Sequence, residues 1–274
     1  MCAPEIIGTV RDTVARAPRA GRRAFFGLSA AAVLAASAAP AAAREPRGAV
    51  VDLTHPLSSR TPVWPGNPPF AMVPVAWDRM GGFNQNMLTL WEHTGTHLDA
   101  PVHRRSGAAT TDALVAEDLV APLAVVDISA RAERDPEAVV TLADIAEWES
   151  RHGRLPERAF VAMYSGWERR LATPEQFVGL DGNGVPHAPG FAGDTADFLV
   201  SERGIVGAGA DTLSLDRSAD QDFPAHTAIL GSGRYGVEML ANLAAVPPAG
   251  ATIVVGAPKH IGGTGGPCRV LALT

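Results

Sequence analysis

Eleven residues constrain this chain more than any other stretch. His93-Thr94-Gly95-Thr96-His97-Leu98-Asp99-Ala100-Pro101-Val102-His103 brings three histidines and one carboxylate together with no other charge among them. Imidazole and carboxylate together suit Zn, Mn or Fe in the divalent state, and neutral histidine is the commonest metal ligand. Thr94, Gly95 and Thr96 are poor helix-interior residues, so His93 and His97 are not expected as an i, i+4 pair on a helix. Pro101 pushes Ala100 towards extended backbone. In an extended ribbon His97, Asp99 and Pro101 share one face, and His93 and His103 can fall on it too. Gly95 allows a bend that closes His93 and His97 on one ion. The alternative is a set of hydrogen-bonded histidines in a polar loop; four ligand-type side chains at odd positions favour the metal.

The chain has 274 residues, 46% hydrophobic and 19% charged, which describes a globular protein with a sizeable core. Its formal charge of -6 and single lysine, Lys259, argue against a nucleic-acid partner, which would need clustered positive charge. Residues 1–43 read as an export signal peptide, leaving 44–274 as one domain. Arg11, Arg16, Arg19, Arg22 and Arg23 precede an alanine-rich apolar run over 24–39, and Pro40-Ala41-Ala42-Ala43 offers small residues for cleavage. Arg22-Arg23-Ala24-Phe25-Phe26 resembles a twin-arginine signal, with an ordinary secretory signal or an anchor as the alternative. The expected location is the periplasm or the exterior, and no later segment reaches the length of a membrane span. Loss of Cys2 with the leader would leave Cys268 alone, so an internal disulfide is not expected.

Short β-type runs fall at 49–54, 70–77, 87–92, 123–128, 159–164, 205–211, 252–256 and 269–273. The run at 123–128 is nearly all apolar, as in a strand buried on both faces. Helices are expected at 141–152, with Thr141 as N-cap, at 194–203, closed by Gly204, and at 236–245, ended by Pro247-Pro248. The four prolines of 61–69 make a stiff loop around Trp64. Strands alternating irregularly with three helices predict an α/β single domain with a mixed sheet.

Rival motifs are weak. Gly207-Ala208-Gly209 lacks the third glycine and the helix of a dinucleotide fingerprint, and the glycines of 262–266 lack the lysine of a phosphate loop and read as a flexible turn. There is no Gly-x-Ser-x-Gly elbow. His152 and His187 fall at a helix end and in a loop, where solvation is the simpler reading. Glu238, in the first turn of the expected helix at 236–245, reads by itself as a dipole partner facing water.

The 93–103 stretch resembles the His-x-Gly-Thr-His-x-Asp-x-Pro-x-His signature of the cyclase family of metal-dependent hydrolases, which includes bacterial kynurenine formamidase and isatin hydrolase. The resemblance extends through Thr61-Pro62-Val63-Trp64-Pro65-Gly66, through the 209–216 run Gly-Ala-Asp-Thr-Leu-Ser-Leu-Asp, through His226 followed by Glu238, and through 259–266. It implies a barrel-like core of the swivelling β/α type. It implies His93, His97 and Asp99 as ligands of a first ion and Asp99, His103 and Glu238 as ligands of a second. The metal would be Zn or Mn, as one or two ions. His226 would carry protons in catalysis, or His103 if it is not a ligand. Trp64, Phe83 and Trp91 are candidates for an apolar substrate wall. One departure is Arg104-Arg105 after His103, where relatives often have an aromatic residue.

The implied activity is hydrolysis of the C–N bond of a small amide, an aryl formamide or a cyclic amide, by metal-bound hydroxide, in a homodimer or homotetramer. The alternatives are an exported metal- or ligand-binding protein without catalysis and a structural zinc staple, the latter disfavoured by the lack of nearby cysteine.

Overall fold

The computed structural model describes residues 48–274; the leader expected at 1–43 lies outside them. Thirteen strands occur in the described part. In chain order they are β1 (Val50–Asp52), β2 (Ala71–Ala76), β3 (Gln85–Thr89), β4 (His97–Asp99), β5 (Val120–Asp127) and β6 (Val139–Val140). There follow β7 (Phe160–Tyr164), β8 (Gly190–Phe191), β9 (Gly207–Ala210), β10 (Tyr235–Glu238), β11 (Ala251–Gly256), β12 (Gly265–Pro267) and β13 (Arg269–Leu273). Three longer helices flank them: α1 (Leu142–His152), α2 (Gly193–Ser201) and α3 (Pro224–Gly231).

Nine strands form one curled, half-barrel sheet in the order β1-β13-β11-β5-β7-β9-β10-β4-β12. Its centre, β5-β7-β9-β10, is parallel; the pairings outside it are antiparallel. The mixed α/β sheet expected from the sequence is therefore the observed fold. Each central strand feeds two cores by simple alternation. Ala124, Val126, Val161, Met163, Ala208 and Ala210 pack with the helices, among them Trp148 of α1, Leu199 of α2 and Ile229 of α3. Leu123, Val125, Phe160 and Ala162 pack on the other face with Leu98, Val237, Ile253 and Val270. Burial on both faces explains why these strands read as continuous apolar runs. On β9, Cβ atoms at Gly207 and Gly209 would come within about 3 Å of the Phe160 ring, so glycine there makes room for the aromatic packing.

Helix α1 begins where expected: Thr141 and Asp144 form a full capping box, and Arg131 clamps the Asp144 carboxylate. Two expectations fail. The segment 236–245 is not a helix; its first part is strand β10, between β9 and β4. Only Leu243–Ala245 makes a 3₁₀ turn, and positive φ at Met239 and Asn242 breaks the segment between them. Four buried positions inside a sheet outweigh a helical pattern this short. Helix α3, for which the sequence carried no helix expectation, starts with Pro224 at its first turn, a position proline favours. The glycine-rich turn at 262–266 ends in β12, the sheet's edge strand. Among the described residues no helix is long and apolar enough to cross a membrane.

Loops at the carboxyl ends of the parallel strands line the site whose centre lies on β4 and β10. One of them is tied by a buried acid. Asp211, just past β9, accepts hydrogen bonds from the Ser165 and Trp167 backbone N–H groups and from Ser165 Oγ, which follow the neighbouring β7. Burial pushes the Asp211 carboxyl up to about 6 although these donors pull it down. A raised folded-state value means the native chain holds this proton more tightly than the unfolded chain. Its stabilisation is therefore full below about pH 4 and is lost as pH rises through 6, to a total of about 3 kcal/mol. Denaturant midpoints of the wild type and Asp211→Asn should diverge over this interval, the wild type losing stability with rising pH relative to the variant. Parallel profiles would show that Asp211 does not titrate there.

Candidate metal centre

Strand β4 carries the centre of the site. Its register with β10 sets Glu238 opposite His97, Val237 opposite Leu98 and Gly236 opposite Asp99. Alternation sends Leu98 and Val237 into the apolar core and leaves His97, Asp99 and Glu238 on the other face. Glu238 thus comes to the cluster by strand pairing, not as a helix-end acid facing water. Gly236 leaves space: a Cβ there would lie 2.8 Å from Leu215 Cδ1 and 3.4 Å from Asp99 Oδ2. Gly95, at φ +66°, makes the bend that brings His93 back over β4.

Two three-donor groups result, and they share Asp99. His93, His97 and Asp99 offer ligand atoms within 4.8 Å of one another, as do Asp99, His226 and Glu238. His93 Nδ1 lies 2.6 Å from Asp99 Oδ1, and His97 Nε2 lies 3.3 Å from both Asp99 Oδ1 and Glu238 Oε2. His226 Nε2 lies 3.1 Å from Glu238 Oε1 and 3.5 Å from Asp99 Oδ2. His103 joins neither group. It sits in a 3₁₀ turn over Pro101–His103, its ring centroid 3.9 Å from that of His93 and 6.1 Å from that of His226.

Each clustered histidine has one nitrogen committed elsewhere, which turns the other inward. His97 Nδ1 donates to Gly95 O at 2.8 Å. His226 Nδ1 donates to Asp216 Oδ2 at 2.5 Å, and Asp216 also accepts the backbone N–H groups of Ala225 and His226 at the start of α3. Thr264 Oγ1 donates to Glu92 Oε2, so it accepts from His93 Nε2–H at 3.0 Å and frees Nδ1. Glu92 also meets His260 at 2.5 Å.

The donor set fits a divalent cation. His97 Nε2 and Asp99 Oδ2 are buried with no aligned hydrogen bond, although both lie near opposite charge. Buried polar atoms are almost always satisfied, so two such orphans at one point call for a ligand. Electrostatics agree. Burial opposes charge on His97, yet Asp99 and Glu238 hold it up at about 10. Burial opposes charge on His226 too, and Asp216, Asp99 and Glu238 hold it well above the usual histidine value. Two buried carboxylates thus demand positive charge, which a metal ion supplies as well as protons do. His103 is different: burial pushes it below the ordinary value despite Asp99.

The centre lines a cavity of about 330 Å³ whose apolar walls include Trp64, Trp91, Leu213, Phe223 and Met239. Phe223 adopts φ +51°, an uncommon conformation for a bulky residue, beside Trp64 and edge-on to His226. Phe83 does not line this cavity; it lies in the turn of the β2–β3 ribbon. Arg104 and Arg105 turn to α3, bonding to Asp222 O and Gly231 O, and Arg104 stacks on Phe223. His187 pairs with Glu137 and Asp181 away from the site. Sequence reasoning missed Glu92, Thr264 and Phe223, and gave Asp216 no role. Asp216 and Thr264 lay in stretches that carry the resemblance; Glu92 and Phe223 meet the site through folding alone.

Comparisons with known proteins agree with this geometry. The Cyclase family profile matches residues 51–217. Isatin hydrolase from Roseibium aggregatum is 34% identical over 82% of this chain and 91% of its own length. Kynurenine formamidase from Salinibacter ruber is 31% identical over 81% of this chain and 96% of its own. A crystal structure of an isatin hydrolase bound to the product analogue thioisatinate superposes with a TM-score of 0.78 at 32% identity, covering 82% of this chain and 92% of that one. Fold and cluster together define a metal-dependent α/β hydrolase. The chain belongs to the Cyclase family.

Thr264→Val removes the acceptor that orients His93. Titration against a chelating dye should show divalent-metal affinity lowered by about 10- to 100-fold, with Thr264→Ser close to wild type. Unchanged affinity in the valine variant would remove Thr264 from the site.

Proposed function

We propose that this chain hydrolyses the C–N bond of a small aryl formamide or cyclic amide, with Zn or Mn held by His93, His97 and Asp99. The observation that carries the reading is the buried Asp99 carboxylate, shared by two three-donor groups and unsatisfied at Oδ2, beside an aromatic cavity. Two imidazoles and one carboxylate suit either ion. The names of the relatives, isatin hydrolase and kynurenine formamidase, support an amide attached to an aromatic ring. A structural staple would be closed, whereas this centre opens on a cavity.

When bound, the ion supplies Lewis acidity for a carbonyl oxygen and lowers the pKa of water from about 15.7 to around 7. The protein's own groups do the rest. Trp64, Trp91 and Phe223 hold the aromatic ring and shed water from it. Asp216 keeps the proton on His226 Nδ1, so Nε2 is the atom that exchanges a proton with the substrate, including the leaving nitrogen. Such help is typically worth about 10²–10⁴-fold in rate. Glu238, 3.1 Å from that nitrogen, steadies its positive charge. Where a second ion binds, Asp99 and Glu238 would hold it with His103 or His226. Where His226 is that ligand, neutral His103 is the alternative proton carrier.

We further propose that residues 1–43 direct export by the twin-arginine route, which would suit a protein loaded with metal before transport, and that the mature chain is a homodimer or homotetramer. Replacing Arg22 and Arg23 by lysine should abolish export; unchanged export would discard the route.

His97→Ala should lose both the metal, by elemental analysis, and turnover in a screen of N-formyl aromatic amines, isatin and cyclic imides. His226→Gln should keep the metal and lose a hundredfold or more in kcat. Full activity in the His97 variant would overturn the ligand assignment.

A further inference from the structure

One loop grips the metal-binding stretch 93–103 at both ends. Residues 258–264 form a strap that leads into β12. Beyond His103, Thr111 donates its N–H to Gly263 O and its hydroxyl to His260 O, and Gly262 N–H donates to Asp112 Oδ1. After β4, Ala100 N–H donates to Thr264 O. Before His93, Glu92 accepts the N–H and the hydroxyl of Thr264, and its Oε1 lies 2.5 Å from His260 Nε2. The approach to the ligand is close: a Cβ at Gly265 would lie 2.6 Å from His93 Cε1. Apolar burial does not hold the strap, because Ile261 at its tip is 92% exposed. Hydrogen bonds hold it instead.

The direction of these bonds matters. An ionised carboxylate only accepts, and a hydroxyl has one proton to give. Thr264 N–H, which can only donate, reaches both Glu92 oxygens, so the face Glu92 turns to the strap is an acceptor. Glu92 therefore takes the Thr264 hydroxyl proton, and Thr264 Oγ1 is left to accept His93 Nε2–H at 3.0 Å. That leaves His93 Nδ1, which faces Asp99 Oδ1 at 2.6 Å, as the nitrogen a cation can take. With the order reversed the hydroxyl would donate to Nε2, and the ring proton would sit on the ligand atom. Carboxylates commonly orient metal-bound imidazoles directly; here a threonine hydroxyl stands between the two. His260 occupies Oε1 and so keeps Oε2 turned to that hydroxyl. The His260–Glu92 pair is partly exposed and adds little stability of its own; it adds direction.

We propose that Glu92, clamped by His260, positions the metal ligand His93 through the Thr264 hydroxyl, so that closure of the 258–264 strap and occupancy of the metal centre favour each other. The proposal rests on the reading of His93, His97 and Asp99 as ligands and deepens it. Linkage makes the two effects equal: the factor by which the closed strap raises metal affinity is the factor by which metal favours the closed strap. Outer partners of a ligating histidine are typically worth about 10- to 100-fold in affinity, and the coupling is of that order. The strap also carries its own reporter. Lys259 is the only lysine of the chain and is exposed, so a lysine-specific protease can cut the full chain at one bond alone. Cleavage of a segment that opens briefly follows the population of the open form.

Two measurements test this, and neither uses activity. The first is affinity for Zn or Mn by titration against a chelating dye. Glu92→Leu should lower it about tenfold or more, with Glu92→Gln, whose one oxygen can still take the Thr264 proton, falling between. His260→Ala should lower it less, and His260→Gln, which keeps a donor, should stay close to wild type. In a Thr264→Val background Glu92→Leu should cost less than about twofold further, because the relay is already cut. Wild-type affinity in Glu92→Leu, or losses that simply add, would overturn the proposal. The second measurement is the rate of cutting after Lys259. Metal should slow it about tenfold or more in the wild type and less than about twofold in Glu92→Leu saturated with the same ion. Equal slowing in both proteins would overturn the coupling. If no divalent ion binds the wild type, the metal reading of the centre falls. The metal-free proteins then still decide whether Glu92 holds the strap: Glu92→Leu should be cut faster than wild type, and equal rates would overturn that hold.

Discussion

Two buried carboxylates, Asp99 and Glu238, meet across one strand pair, and the rest of the site is arranged to hold the positive charge they require. Unbalanced buried charge is among the most costly features a fold can contain. Here His97, His226 and His93 converge on the two acids, and each imidazole has its outer nitrogen held by a separate acceptor. The inward atoms are thereby left to a cation. The geometry persists because the acceptors are themselves anchored: a backbone carbonyl at Gly95, a carboxylate at the head of α3, and a threonine on the loop that leads into β12.

The sheet supplies the rigidity this needs. The parallel strands β5, β7, β9 and β10 are packed on both faces, so their carboxyl ends cannot shift independently. Asp211 binds the loops after β7 and β9 together, Asp216 fastens the next turn to α3, and Arg104 and Arg105 fasten the turn after β4 to the same helix. Arg104 and Arg105 therefore brace the wall that carries Phe223 and His226. They leave the cavity itself apolar on its aromatic side, around a polar centre.

Much of this was legible in the chain. The spacing from His93 to His103, with Gly95 and Pro101, argued against a helix and for a bent ribbon; β4 is that ribbon over His97–Asp99, while the 3₁₀ turn at Pro101–His103 takes His103 off the shared face. The apolar runs located the strands of the central sheet, and Thr141 with Asp144 located α1. Glu238 was placed wrongly by its own neighbourhood. Val237, Met239 and Leu240 fit a helical stripe as well as a buried strand, because a four-residue apolar segment has no period of its own. Phe83 was a candidate for the substrate wall as an aromatic residue, while its place in the β2–β3 turn leaves it out of the cavity lining.

The sequence by itself determined the chemistry available: that ligand-type side chains are gathered in one short stretch, and that the surrounding strands are buried on both faces. These are properties of residue type and short-range spacing, which act before any long-range contact forms. Only the tertiary structure decided which partners complete the centre. Glu238 reaches His97 through strand register, Thr264 reaches His93 across 171 positions, and Asp216 reaches His226 through the start of a helix. Such pairings depend on how the sheet closes on itself, and no local pattern of polarity records that closure.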